Sequence, residues 1–190
     1  MKNLNPTLWR TCRMLAGDTR IRLLRALHDH PGQAVSQLAD KVGIGRSDAC
    51  QELRRIQSRG LLRPHREKSM VIYRMEADPQ VASAAPLLQA LKTALHAFPP
   101  DQDEAMCRIA FGLAYPRRIA MARILLETPL SGWALSERMG CSTFAVYSHL
   151  RTLETGGWVH RAKRKFRLAA PDHPLADALV RQLKKEPCPD

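Results

Sequence analysis

The sequence predicts a mainly α chain with short β-hairpins, an α+β fold made from two copies of one unit. Three observations predict it. Apolar residues recur at helical spacings of three and four along most of the chain, and alternate only in two short basic stretches. The 190 residues repeat themselves once, at an interval a little under 100. The apolar share of 45% with 25% charged residues is a globular balance. It is rich enough to bury a core and too apolar for a disordered tail.

The repeat is read directly. Residues 15–27, LAGDTRIRLLRAL, align with 113–125, LAYPRRIAMARIL. Leu15, Ala16, Arg20 and Ile21 recur as Leu113, Ala114, Arg118 and Ile119, an offset of 98. Leu38, Gly43, Leu53, Arg54 and Gly60 recur as Leu135, Gly140, Leu150, Arg151 and Gly157, an offset of 97. Tyr73-Arg74 recurs as Phe166-Arg167, an offset of 93. The offset changes fall where loops are expected, and loops tolerate deletion better than packed elements. The two copies therefore predict two domains, 1–98 and 99–190, rather than a solenoid. Phe98-Pro99-Pro100-Asp101 is the link, because its prolines cannot continue a helix.

In the first unit, residues 6–16 predict a helix with Pro6 in its first turn and Leu8, Cys12 and Leu15 on its apolar stripe. Asp18 is placed to cap a second helix that buries Ile21, Leu24 and Leu27 and ends at Pro31-Gly32. A short helix follows at about 36–42, with Ser36 as N-cap and Leu38, Ala39 and Val42 inward. Gly43 supplies a tight turn. The next helix, about 46–59, buries Ala49, Leu53 and Ile56 and stops at Gly60. Residues 61–66 and 70–75 alternate as two strands around Glu67-Lys68-Ser69. A last helix is expected from about 79 to 97. The second unit repeats this order, with helices near 102–114, 117–127, 132–139, 143–155 and 173–185 and a hairpin at 158–169.

Charge narrows the partners. Thirty Lys and Arg against eighteen Asp and Glu give +12 and a pI near 10.1. Twenty-two of the thirty cations are Arg, whose planar fork suits phosphate and guanine edges. A pI above 9 is the electrostatic footprint of a nucleic-acid binder. The cations are not gathered into one basic amphipathic segment, which disfavours a membrane surface. No long apolar run predicts a transmembrane helix, and the opening residues lack a signal-peptide core, so the expected compartment is the cytoplasm. Cys12, Cys50, Cys107, Cys141 and Cys188 are odd in number, widely spaced and free of any CxxC. That argues against a disulfide framework and a structural zinc site.

A short helix, a Gly turn and a second amphipathic helix make a helix-turn-helix, and a basic hairpin behind it makes the winged version. The turn presents the second helix so that its outer face can enter a major groove about 12 Å wide. In the first unit that face offers Arg46, Ser47, Asp48, Cys50, Gln51, Arg54 and Arg55. Gln51 suits adenine and Arg46 suits guanine. Arg54 and Arg55 suit phosphates, whereas Asp48 and Glu52 oppose them, although Asp48 could accept from cytosine. In the second unit it offers Thr143, Phe144, Tyr147, Ser148 and Arg151, with His149 either touching a phosphate or packing on the turn. The first wing, near 63–74, carries Arg63, His65, Arg66 and Lys68. The second, near 160–167, carries His160, Arg161, Lys163, Arg164, Lys165 and Arg167.

LAGDTRIRLLRAL, VSQLADKVGIGRSDACQELRRIQSRGLL and a hairpin ending VIYRM resemble the ArsR-type winged-helix transcriptional regulators over roughly residues 8–97. The second copy resembles them closely at MGCSTFAVYSHLRTLETGGWV. The resemblance implies five helices and a two-stranded wing per unit. It also implies operator binding as a dimer, through an interface formed by the first and last helices. Metal sensors of that family carry cysteines on the short helix before the turn, where Ser36-Gln37-Leu38-Ala39-Asp40 has none. The last helices lack the family's ligand set, and His28-Asp29-His30 could coordinate a metal but reads better as a solvated helix end, so no metal or other cofactor is expected. A thiol signal would involve Cys12 and Cys107 on the first helices or Cys50 on the groove side; the alternative is inert core cysteines.

Because one chain holds two reading helices, the expectation is a monomer closed on itself as a pseudo-dimer, or else a homodimer. In the pseudo-dimer the helices would lie about 34–36 Å apart and read unlike half-sites. Residues 1–98 hold 16 cations and 8 anions, and residues 99–190 hold 14 and 10, so the first unit should dominate backbone affinity. The function expected is a sequence-specific double-stranded DNA-binding regulator, most simply a repressor, with an unidentified small-molecule or redox effector. The alternatives are a tandem winged-helix protein of replication and a protein-interaction scaffold. No phosphate loop, nucleophile elbow or paired carboxylates suggest an enzyme.

Overall fold

A computed structural model describes residues 6–185. Those residues are mainly helical, with two small antiparallel sheets. In chain order they form α1 (Leu8–Leu15), α2 (Asp18–Asp29), β1 (Gln33–Ala34), α3 (Val35–Val42), α4 (Arg46–Gln57), β2 (Arg63–Glu67), β3 (Met70–Arg74) and α5 (Ala84–Ala97). A 3₁₀ turn (Pro100–Gln102) leads to α6 (Asp103–Gly112), α7 (Pro116–Glu127), α8 (Gly132–Met139), α9 (Thr143–Thr155), β4 (Val159–Ala162), β5 (Lys165–Leu168) and α10 (Pro174–Lys185).

The chain divides into two compact units, and they are not the two halves cut at 98/99. One contains Gly17–Cys107; the other contains Leu8–Ala16 together with the chain from Arg108 onward. The second unit thus includes all of α1, the opening helix of the first repeat, and the first unit includes the start of α6, the opening helix of the second. In the first unit the anchor is Asp103 at the start of α6. Its carboxylate accepts two 2.6 Å hydrogen bonds from Arg25 of α2, whose guanidinium also donates to the Leu95 and Phe98 carbonyls at 3.0 and 2.9 Å. In the second unit α1 buries Leu8, Thr11, Cys12, Met14 and Leu15 and packs on α7.

Within the first unit, α2, α3 and α4 turn Ile21, Leu24, Leu27, Leu38, Ala39, Val42, Ala49, Leu53 and Ile56 into one core. Gly43 ends α3 in the left-handed region at φ 71°, which lets the chain reverse into α4. The sheet order is β1-β3-β2, with Gln33 opposite Tyr73 and Glu67 opposite Met70. Strand β1 was not expected, since two residues are too short for alternation to register. Ser36 is not the N-cap expected of it. The helix starts at Val35, and the Ala34 N–H donates to Gln37 Oε1 at 2.9 Å. Asp18 is likewise the first helical residue after Gly17, not the cap. Helix α5 begins at Ala84 rather than near 79, because Asp78 accepts the Gln80 N–H at 2.9 Å and holds a turn.

Within the second unit the same order recurs with true serine caps. Ser131 accepts from the Ala134 N–H and Ser142 from the Ala145 N–H. Gly140 repeats the left-handed turn at φ 59°. Val146, Leu150, Leu153 and Trp158 fill the core. The fully buried Trp158 donates its Nε1–H to the Ile109 carbonyl at 2.7 Å. Gly112 packs closely on that ring: a Cβ there would sit 2.4 Å from Trp158 Cδ1. The sheet is the hairpin β4–β5, and a single bridge, Leu130 to Phe166, stands where the first unit has β1.

Candidate nucleic-acid interface

In each unit the helix after the left-handed Gly buries one face and leaves the other to solvent. On α4, Ala49, Leu53 and Ile56 are buried, and Arg46, Ser47, Asp48, Gln51, Arg54 and Arg55 are exposed. Cys50 is half-buried. With Arg46 and Arg54 it borders a cleft of about 370 Å³ whose opposite wall is Met70, Val71 and Tyr73 of β3. Burial pushes the Tyr73 hydroxyl's pKa up, so it stays a neutral donor there. The cleft lies between α4 and the β2–β3 hairpin, and Arg and apolar side chains both line it.

Glu52, expected to oppose phosphates, is engaged within the unit. It is half-buried, accepts from Arg20 Nη1 at 2.7 Å, and also pairs with Arg55. One carboxylate thus ties α4 to α2 and offsets the charge of Arg55. On the hairpin, Arg63, Arg66 and Lys68 are exposed as expected. His65 is not a free outward group: its Nε2 lies 2.9 Å from Glu76 Oε2 and the ring is half-buried.

On α9 the exposed set is Thr143, Phe144, Tyr147, Ser148 and Arg151. Phe144 is 86% exposed and Tyr147 47%. The Tyr147 ring meets Phe166 of β5 edge-on, with centroids 6.1 Å apart. Of the two roles open to His149, the structure shows packing: the ring is half-buried and stacks on Tyr115 at 5.3 Å. Burial, then Arg118 and Arg117, lower its pKa below the imidazole norm, which leaves it neutral. Arg118 itself turns inward and donates to the Gly112 and Phe111 carbonyls, both at 2.8 Å. His160, Arg161, Lys163, Arg164, Lys165 and Arg167 are all exposed on the hairpin, with the Arg161 guanidinium over the Phe166 ring.

Both hairpins turn through a lysine held in the left-handed region, Lys68 at φ 55° and Lys163 at φ 56°. Glycine adopts that conformation with less strain. A long cation at each tip is therefore kept at a conformational cost, a pattern found where backbone strain serves a function. Sequence reasoning missed Trp133, 67% exposed on α8; its position off the Leu135 stripe was the available signal.

Of the thiols that could carry a signal, Cys12 and Cys107 are buried, and Cys50 is half-buried rather than exposed. Cys12 is fully buried. Burial, reinforced by Asp18 and Asp103, pushes the Cys107 pKa up to about 11, so it stays protonated near neutrality and nucleophilically weak. Cys188 lies outside the described residues. Among the described residues no three His, Cys, Asp or Glu side chains group to hold a metal ion. His28 pairs with Asp29 at 3.0 Å, and His173 accepts the Leu175 N–H at 3.1 Å at the start of α10. No described helix is long and apolar enough to cross a membrane. No family model, curated protein or solved structure matches the chain.

Proposed function

We propose that this chain is a sequence-specific double-stranded DNA-binding transcriptional regulator, most simply a repressor, built from two winged helix-turn-helix units of the ArsR type. Helices α4 and α9 enter major grooves, and the β2–β3 and β4–β5 hairpins contact the backbone beside them. The observation that carries this reading is its repetition. Twice in one chain, a helix exposed after a left-handed glycine is followed by an exposed cationic hairpin. A helix N-terminus reads base edges in this geometry while side cations hold phosphates. The second hairpin, residues 159–168, holds five Arg and Lys and no acid, which suits a polyanion. One chain then supplies two unlike reading helices, and the bound site is asymmetric.

The test is a salt titration of the full chain with a short duplex. The log of the affinity should fall linearly with the log of salt concentration, as counterions leave the phosphates. Lys163→Ala and Arg164→Ala should weaken all sequences alike and reduce the magnitude of that slope by about one each. Binding that ignores salt, or a slope that neither variant alters, would refute the proposed backbone contacts.

A further inference from the structure

We infer that the α9 face recognises the C5-methyl group of a pyrimidine in the major groove, with Phe144 as the specificity-determining residue. The inference rests on the duplex-binding reading above and adds what the second face reads. The first two turns of α9 present Thr143, Phe144, Tyr147 and Ser148, none of them charged. They hold no Arg, Lys, Asn or Gln, the residues that read guanine or adenine through paired hydrogen bonds. What they offer is apolar surface. Phe144, at 86% exposure, stands in the first turn of a helix that Ser142 caps. Beside it the Tyr147 ring is held edge-on against Phe166 and lies so close to Gly132 that a Cβ there would approach its Cζ to 2.6 Å. A fixed aromatic wall and a projecting ring are thus set at the helix end that enters a groove.

The neighbouring surface says what covers them. The hairpin behind α9 carries Arg161, Lys163, Arg164, Lys165 and Arg167, all exposed and unrelieved by any acid within the hairpin. An apolar protein partner would leave those cations unneutralised; a duplex neutralises them with phosphates. Within a duplex, the apolar group displayed on the base edges is the C5-methyl of thymine, or of 5-methylcytosine, and it lies in the major groove. The two sources share one chemistry and are separable by substitution.

The experiment takes the tightest duplex recovered by selection with the full chain and replaces its thymines one at a time by uracil, which removes only the methyl. A buried methyl predicts about a fourfold loss of affinity at one or two clustered positions. Phe144→Ala should bind the thymine duplex more weakly and no longer distinguish uracil there, with its thermal unfolding unchanged because the ring is exposed. Arg46→Ala should still distinguish it. At the sensitive positions, 5-methylcytosine binding above cytosine but below thymine assigns the methyl to thymine. Binding above thymine assigns it to methylated cytosine, and either result supports the inference. Normal salt-dependent binding with no uracil-sensitive position overturns the inference but not the DNA-binding reading. A uracil penalty unchanged in Phe144→Ala does the same, and Phe144→Ala without effect on binding would leave the aromatic face to a protein partner. Failure of the full chain to bind any duplex would overturn both.

Discussion

Aligned at the repeat offset, α4 and α9 bury nearly equivalent residues and expose different ones. Ala49, Leu53 and Ile56 correspond to Val146, Leu150 and Leu153. Outward, Arg46, Ser47, Cys50, Gln51 and Arg55 correspond to Thr143, Phe144, Tyr147, Ser148 and Thr152, and only Arg54 keeps its type as Arg151. The supports beneath differ as well. The Arg20–Glu52 ion pair of the first unit corresponds to Arg118 and His149 in the second. There the arginine turns to main-chain carbonyls and the neutral histidine stacks on Tyr115. Packing constrains the inner side of a seated helix, because core volume changes of a single methylene are felt. The outer side is free to specialise, and here one face is cationic and hydrogen-bonding while the other is aromatic.

The largest expected effect concerns how each unit is tied together. Arg25→Ala takes away the ion-pair partner of the buried Asp103 carboxylate, and should cost about 3–5 kcal/mol in urea unfolding. At the repeat offset Arg25 corresponds to Arg123, which donates to the Leu183 carbonyl at 3.2 Å. Arg123 is half-buried where Arg25 is buried, so Arg123→Ala should cost less. Equal losses would erase this difference between the units. Next, Arg46→Ala or Gln51→Ala should each relax preference at one base pair by about 1–3 kcal/mol, read from binding to single-substitution duplexes. Discrimination lost at several base pairs at once would mean that α4 is misplaced on the site.

Smaller effects sharpen the comparison. Lys163→Gly relieves a left-handed backbone and should raise stability by up to about 1 kcal/mol while weakening DNA binding. Parallel gains in both would show that the tip does not contact DNA. The pH response should follow the second unit. His149 and His173 have folded pKa values below the usual imidazole value, each chiefly through burial. Their unfolded forms therefore bind protons first as pH falls. The associated stability is fully present above about pH 6.5 and is lost as pH falls through the lower folded values. Protonating His173 at Nδ1 would also remove the acceptor for the Leu175 N–H. Replacing both histidines by Asn should flatten thermal stability between neutral and mildly acid pH; an unchanged acid limb would contradict the assignment.

The inward faces were legible because Leu, Ile and Val at helical spacing report burial wherever the helix packs. Gly43, Gly60, Gly140 and Gly157 were legible for a related reason: all four have positive φ, where a side chain is strained. Which unit buries a helix was not legible. The stripe Leu8, Cys12, Leu15 shows that α1 is covered, and carries no information that the cover comes from the second unit. Arg25 and Asp103, 78 residues apart, meet only in the fold. The pairing of Glu52 with Arg20, 32 residues away, likewise needs the fold. For the candidate site, the exposed helix faces and basic hairpins followed from periodicity, whereas His65 and His149 needed three-dimensional neighbours to be placed.

The central claim is that one chain presents two chemically unlike helix faces to duplex DNA. Selection of bound sites from random duplexes, with the mass of each complex measured in parallel, tests it most directly. The account predicts one chain on a site with two dissimilar conserved segments, one of them uracil-sensitive. A symmetric palindrome occupied by two chains, or no enriched sequence at all, would contradict it.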